Sequence, residues 1–407
     1  MGGYKWYKWG QTPFRGNCLI HLPFSFILFT CVVPDSNPIR TTTRVVNREF
    51  VFGSQEKEHF VHLMRMYEDF SQVRVISYCI MSNHFHILVE VPRHPGLRSG
   101  QNQENPDHLF DREVMKDLFP VEKLITHVQK SLGEKSANEL AWRLENFRKH
   151  DSHEAAEELR EKYFKRMWDV SHFMKTLKQR FTQWFNGRHQ RRGTLWEERF
   201  KSTLVEGRAL ALKTMAAYIE LNPVRANICE DPKDYRWSSY TEALSGNKKA
   251  ETTLKWLNSL TSSSQAEGDA QQQERLAFSM QEVFRCWRCY LFGLPESETS
   301  QQLEQEKEKS GGEADIFRKR LSRQKALSAL KKGGRLSQAD YLRCRLRYFS
   351  EGVALGSKEF VEDTFKNSKN HFHPQRKNGS RSLRGLELKP KKERLYNMRQ
   401  LGKDAIT

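Results

Sequence analysis

Two runs, VRVISYCIM (73–81) and HFHILVEV (84–91), are the most strand-like stretches of the chain, and only Ser82-Asn83 separates them. Apolar and β-branched residues at that density, broken by a two-residue turn, predict an antiparallel hairpin. Side chains alternate along a strand, so Phe85, Ile87, Val89 and Val91 form an apolar face that helices must cover. His84, His86, Leu88 and Glu90 point the other way.

The hairpin follows a short β-branched run at Thr41–Val46 and a stretch from Gln55 to Phe70 with Phe60, Leu63, Met64 and Tyr67 at helical spacing. Strand, helix, hairpin is the opening of an α+β, ferredoxin-like antiparallel sheet with helices. Residues 93–160, which begin with Pro92, Pro95 and Gly96 and become charged and helix-prone, read as an insertion. Helical signal returns from Phe164 to Trp184, Arg199–Glu206 reads as a further strand, and Arg208–Leu221 as a helix stopped by Asn222-Pro223. This divides the chain into an N-terminal extension (1–38), a principal domain (39–245), a polar linker with one short helix (246–315) and a basic extension (316–407). The last is mostly helical, with helix breaks at Gly333-Gly334 and Gly352/Gly356 and a flexible basic tail.

Charge narrows the partner. Sixty-eight Lys and Arg against 50 Asp and Glu leave +18, which points to a polyanion, nucleic acid first. Seven cysteines among 407 residues exclude a disulfide scaffold and point to a reducing cytoplasm. No membrane partner is expected: Leu22–Val33 is interrupted by Pro23, Ser25 and Thr30 and falls short of the ~20 residues a span needs. Lys5, Lys8 and Arg15 precede it as in a signal peptide, but no small-residue cleavage site follows.

Four side chains could carry chemistry. His84 and His86 lie two apart on one strand face, roughly 6.5–7 Å between Cα atoms, which lets both rings converge on one divalent ion. Two half-buried histidines beside a sheet edge satisfy the same pattern. His371-Phe372-His373 repeats the tripeptide in a polar, loop-like setting and serves as an internal control. Tyr218 and Asn222 are i and i+4 at the end of a helix. A phenol with a pKa near 10 is a poor nucleophile unless a metal polarises its electrophile, and an asparagine can give that metal an amide oxygen. A core tyrosine and a helix-stopping asparagine are the plain alternative.

Between His172 and Lys201 eight Lys/Arg face only Glu197 and Glu198, interleaved with Phe173, Phe181, Trp184, Phe185, Trp196 and Phe200. Cations can follow a phosphate backbone while rings stack on bases, and about half of these rings are expected in the core. Arg188, Arg191, Arg192, Arg199 and Lys201 are the candidate DNA contacts. Cys286-Trp287-Arg288-Cys289 lacks a second pair at zinc-finger spacing and reads as partly buried cysteines. Leu336–Asp340 with Gly352–Phe365 reads either as a helix-turn-helix-like reader of duplex or hairpin DNA or as a packing appendage.

MSNHFHILVEVP, GTLWEERFKSTLVEG, YIELNPVRANI and YRWSSY, in this order from Met81, Gly193, Tyr218 and Tyr235, resemble the REP-associated branch of the single-tyrosine HUH transposases. The resemblance covers residues 40–245 without the insertion. It implies a ferredoxin-like fold, His84, His86 and Asn222 as ligands of Mg²⁺ or Mn²⁺, and Tyr218 as the nucleophile. Many insertion-sequence relatives carry Gln where this chain has Asn222. The implied activity is cleavage and rejoining of hairpin-flanked single-stranded DNA through a 5′-phosphotyrosine, by a monomer or homodimer at the nucleoid. A domesticated, non-catalytic DNA-binding protein is the alternative, and a replication-initiating nickase a third reading.

Overall fold

The computed structural model describes residues 39–46, 49–92, 95, 112–197, 200–261, 272–293, 323–344, 346–350, 352–388 and 394–399. The expectations for residues 1–38 and for the polar runs at 262–271 and 294–322 lie outside them.

The fold is α+β. Strand β1 (Ile39–Arg44), helix α1 (Ser54–Ser71) and the hairpin β2 (Arg74–Ile80) and β3 (His84–Glu90) form the expected opening. Helices α2 (Arg112–Leu118), α3 (Val121–Leu132), α4 (Glu134–Lys149) and α5 (His153–Phe164) follow, then α6 (Val170–Arg188), β4 (Lys201–Val205) and α7 (Ala209–Glu220). The strands lie in the order β2-β3-β1-β4, and all three pairings are antiparallel.

Alternation along β3 divides the core. Phe85, Ile87 and Val89 pack with Phe60, Leu63 and Met64 of α1 and Phe173, Leu177 and Phe181 of α6. Leu88, on the opposite face, packs with Val205 and with Leu212, Met215 and Ile219 of α7. Each fully buried side chain of this size contributes roughly 1.5–3 kcal/mol, and a one-residue slip of β3 would invert both faces. That penalty holds the register.

Helices α2–α5, the expected insertion, carry a small core of their own around Phe119, Leu124, Leu140 and Phe164. It is anchored on Phe70 of α1, whose carbonyl accepts from His127 Nε2 at 3.1 Å. The free edge of β2 is covered by the YRWSSY segment. Ile80 N–H donates to the Trp237 carbonyl (3.0 Å), Tyr78 N–H to Ser239 Oγ (3.0 Å), and Tyr235 Oη–H to the Ile80 carbonyl (2.6 Å). An otherwise open row of β2 backbone groups is thereby satisfied.

The described C-terminal residues combine the expected helices with short strands. Beyond α8 (Asn222–Arg225), α9 (Ser239–Leu244), α10 (Lys248–Ser259), α11 (Met280–Phe292) and α12 (Arg323–Lys331), the chain forms β5 (Leu336–Ser337), α13 (Gln338–Arg343) and α14 (Arg347–Ser350). It then adds β6 (Gly352–Gly356), α15 (Lys358–Asn367), β7 (Arg381–Ser382), β8 (Leu386–Glu387) and β9 (Tyr396–Arg399). β6 pairs parallel to β4, and β9 and β7 continue the sheet to seven strands. The two glycines read as helix breaks are the ends of a strand. Gly352 lies against Tyr348 and Asn397, and a Cβ on Gly356 would come 2.6 Å from the Phe360 ring and 2.7 Å from Glu206 Cβ. These glycines separate α14 from α15, as expected, and also allow close backbone approach. Glu206, at the end of β4, seals the seam: it accepts from Ser357 N–H (2.6 Å) and Ser357 Oγ (2.9 Å) at the start of α15. The second His-Phe-His lies beyond α15 with His371 and His373 exposed.

Gly356→Ala forces Phe360 and Glu206 apart at this seam. The expected cost is about 1–3 kcal/mol of unfolding free energy, measured by urea denaturation of the full chain.

Candidate functional site

The two histidines stand side by side on β3, with ring centroids 5.1 Å apart and planes at 79°. His86 is buried and His84 half-buried. His84 Nδ1 lies 2.7 Å from Asn83 Oδ1, a contact from the hairpin turn that fixes the orientation of the ring. Directly across from His86 are Cys79 on β2 and Thr42 on β1, and across from Thr42 is Lys201 on β4. Partners directly opposite in antiparallel strands share a face, so Cys79, His86 and Lys201 stand in one row on the face that α7 covers. A row of that kind is invisible to sequence spacing, since its members lie 7 to 122 positions apart.

Tyr218 comes from α7, the helix on that same face, and belongs to the same core as Leu88 and Cys79. Only 3 % of it is exposed. Its ring stacks on Phe349 of α14 (4.5 Å, 28°) and, at 3.7 Å, on the guanidinium of Arg225. Arg225 also donates to the Tyr218 carbonyl (2.5 Å) and to the Leu342 carbonyl (2.9 Å). That guanidinium reaches electrostatically to the Cys79 thiol, which burial pushes far above the usual thiol range. Arg225 therefore covers the tyrosine ring and ties α8 to α7 and α13. Sequence reasoning passed over it, although it stands inside YIELNPVRA.

Asn222 opens α8 as its first residue and is half-buried. Its Nδ2 is buried with no hydrogen-bond partner among the described residues. A cation takes an asparagine through Oδ1 and not through the donor Nδ2, so the lone Nδ2 does not mark a ligand, whereas the two imidazoles have the spacing to share one divalent ion. Among the described residues no group of three or more His, Cys, Asp or Glu could hold a metal ion.

Of the candidate DNA contacts, Arg188 and Arg192 are exposed, Arg191 is half-buried, Lys201 is exposed, and Arg199 lies outside the described residues. Arg188 Nη2 donates to Gln55 Oε1 at the start of α1. The segment just before α1 is tied to the turn ahead of His84, because Phe52 N–H donates to the Ser82 carbonyl (3.0 Å). The loop after Arg192 reaches β1 through Val46 N–H to the Leu195 carbonyl (3.0 Å). Arg188, Arg191 and Arg192 thus lie at the His84 end of the sheet. The interleaved rings divide: Phe173, Phe181, Phe185 and Trp196 are core, while Trp184 and Phe200 are half-buried. Trp184 stacks on His59 at 4.0 Å. Cys286 and Cys289 fall on the buried stripe of α11 beside Val283 and Trp287.

Glu220, two residues after Tyr218, is a buried carboxylate that the motif reading missed. It accepts from Ser239 Oγ (2.7 Å), Trp287 Nε1 (2.7 Å) and Ser77 Oγ (3.4 Å), joining α7 to β2, α9 and α11. An acid closing an otherwise apolar helix was its signal. Burial raises its carboxyl to about 7 despite those three donors.

No family model matches the chain, and no curated protein does. Among solved structures, a REP-associated tyrosine transposase bound to a REP hairpin is similar at a TM-score of 0.28 and 8 % identity. The match covers 52 % of this chain and 81 % of that one. Among the described residues no helix is long and apolar enough to cross a membrane.

The Glu220 carboxyl sets a pH dependence with a definite sign. Folded, it holds its proton to about 7, whereas an unfolded chain releases it near 4.5. Stability from this group is full below 4.5 and falls as pH rises to 7, by about 3 kcal/mol. Glu220→Gln removes that slope, and chemical denaturation at pH 5 and 7.5 should show the difference between the two proteins.

Proposed function

We propose that this protein is a single-tyrosine transposase of the HUH class, built on a ferredoxin-like domain, that cuts and rejoins hairpin-flanked single-stranded DNA. The observation that carries the reading is that the His84–His86 strand and the Tyr218 helix share one sheet face. The strand order β2-β3-β1-β4, with a helix between β1 and β2 and another before β4, supports the domain assignment.

In this reading His84, His86 and Asn222 hold Mg²⁺ or Mn²⁺, which when bound draws charge from a non-bridging phosphate oxygen. The phenol oxygen of Tyr218 bonds to phosphorus as the bond from phosphorus to the 3′-oxygen breaks. The phenol gives up its proton, the 3′-oxygen gains one, and the 5′-phosphate stays on Tyr218. Attack by another 3′-OH reverses these changes and joins new ends without a nucleotide cofactor. Arg225, stacked on the phenol, holds the ring in place. Arg188, Arg191, Arg192 and Lys201 guide the strand along the His84 end of the sheet by neutralising phosphates.

The second reading, a DNA-binding protein without catalysis, draws on the burial of Tyr218 between Phe349 and Arg225. Labelled single-stranded oligonucleotides with hairpins, incubated with the full chain and Mg²⁺ or Mn²⁺, separate the two. The expected result is a denaturation-resistant covalent adduct that Tyr218→Phe abolishes while binding stays within about threefold. Binding with no adduct on any hairpin sequence selects the second reading, and an adduct persisting in Tyr218→Phe assigns the nucleophile elsewhere.

The histidine pair has its own check. In calorimetric titration with Mn²⁺, His84→Ala should weaken binding by roughly tenfold or more, since one imidazole ligand is lost.

A further inference from the structure

Lys57 lies in the first turn of α1, yet only 6 % of it is exposed. Its ammonium sits over two rings of the segment that covers the β2 edge, 4.3 Å from the Trp237 centroid and 5.5 Å from Tyr235. The carboxylates of α1 are engaged elsewhere: Glu56 with His189, Glu58 with Arg236, Glu68 with Arg65 and Lys249, and Asp69 with Lys249. Among the described residues no Asp or Glu forms an ion pair with Lys57. Burial accordingly pulls its amine below the usual lysine range.

A buried cation without an anion is costly, and an aromatic slot offsets only part of that cost. An anion from outside would complete it. The position of the slot says which one. Cys79, within electrostatic reach of Lys57, is directly across from His86. Tyr235, one wall of the slot, donates to the carbonyl of Ile80, the residue paired with Phe85 between the two histidines. The chain entering α1 is itself bonded to Ser82 in the hairpin turn. The slot thus borders the candidate site at its β2 side, while Arg188 and its neighbours approach the same end of the sheet from α6.

We propose that Lys57 is a phosphate receptor, engaging one backbone phosphodiester of the DNA strand that crosses the His84–His86 face. This rests on the DNA-processing reading above and adds a contact that its motifs do not contain. The amine and one non-bridging oxygen form a charge-assisted hydrogen bond, and the Trp237 and Tyr235 rings keep water from competing.

The test uses the full chain and a fluorescent single-stranded hairpin oligonucleotide, with affinity read by anisotropy from 50 to 200 mM salt. Lys57→Met keeps the bulk of the side chain and removes the charge. Its plot of log affinity against log salt should be shallower by about 0.7, the share of one phosphate on a single strand. Its thermal midpoint should rise, because an unpaired buried charge has gone, and Lys57→Arg should retain the wild-type slope. An unchanged slope in Lys57→Met overturns the proposal, and so does a fall in its midpoint, which would make Lys57 a packing residue. A wild-type protein that forms no Tyr218 adduct, with the slope shift present, removes the catalytic reading and leaves the receptor. An adduct with no slope shift does the reverse, and a wild-type protein that fails to bind the oligonucleotide removes both.

Discussion

The structure depends on β3 meeting two different demands on its two faces. Phe85, Ile87 and Val89 require a dry environment, and α1 and α6 supply it with aromatic side chains. His84 and His86 require polar chemistry, and only Leu88 on their face is plain core. Because side chains alternate strictly, neither demand can be relaxed without moving the other. The candidate site is therefore the second face of an element whose first face holds the domain together.

The helix that brings Tyr218 to that face is held by polar contacts as well as by packing. Glu220 joins it to β2, α9 and α11, and Arg225 turns back from α8 to close over the tyrosine ring. Such contacts are directional, which apolar packing is not, and they specify one orientation of a helix that is apolar on nearly every side. The C-terminal residues take part in the same arrangement. Leu342 accepts from Arg225, Phe349 stacks on Tyr218, and β6 lies beside β4. The described residues between 323 and 399 thus pack on the principal domain and border its candidate site.

The hairpin, its flanking helix and strand, and the helix carrying Tyr218 were legible because each has a local period that solvent contrast enforces. His84 and His86 were legible for the same reason, and the Tyr218–Asn222 spacing stood out at a helix end. Gly352 and Gly356 do separate two helices, as read, but as the ends of strand β6, which local spacing does not reveal. Trp184 and Trp196 could not be told apart by spacing. Trp196 is buried with its indole N–H on Thr182 Oγ1, while Trp184 is half-buried on His59. What separates them is the path of the loop after Arg192, a long-range property.

By itself, the sequence determined the alternation of β3, the apolar period of the helices, the excess of positive charge and the ordered motifs. All of these are properties of neighbours along the chain, written in solvent preference and steric period. Tertiary structure alone decided that Lys201 joins the row of His86, that Arg225 covers Tyr218, that Lys57 lies in an aromatic slot without an acidic partner, and that β6 extends the sheet from β4. Each of these joins residues far apart in sequence, and contacts of that range are set by how whole elements pack rather than by any local preference.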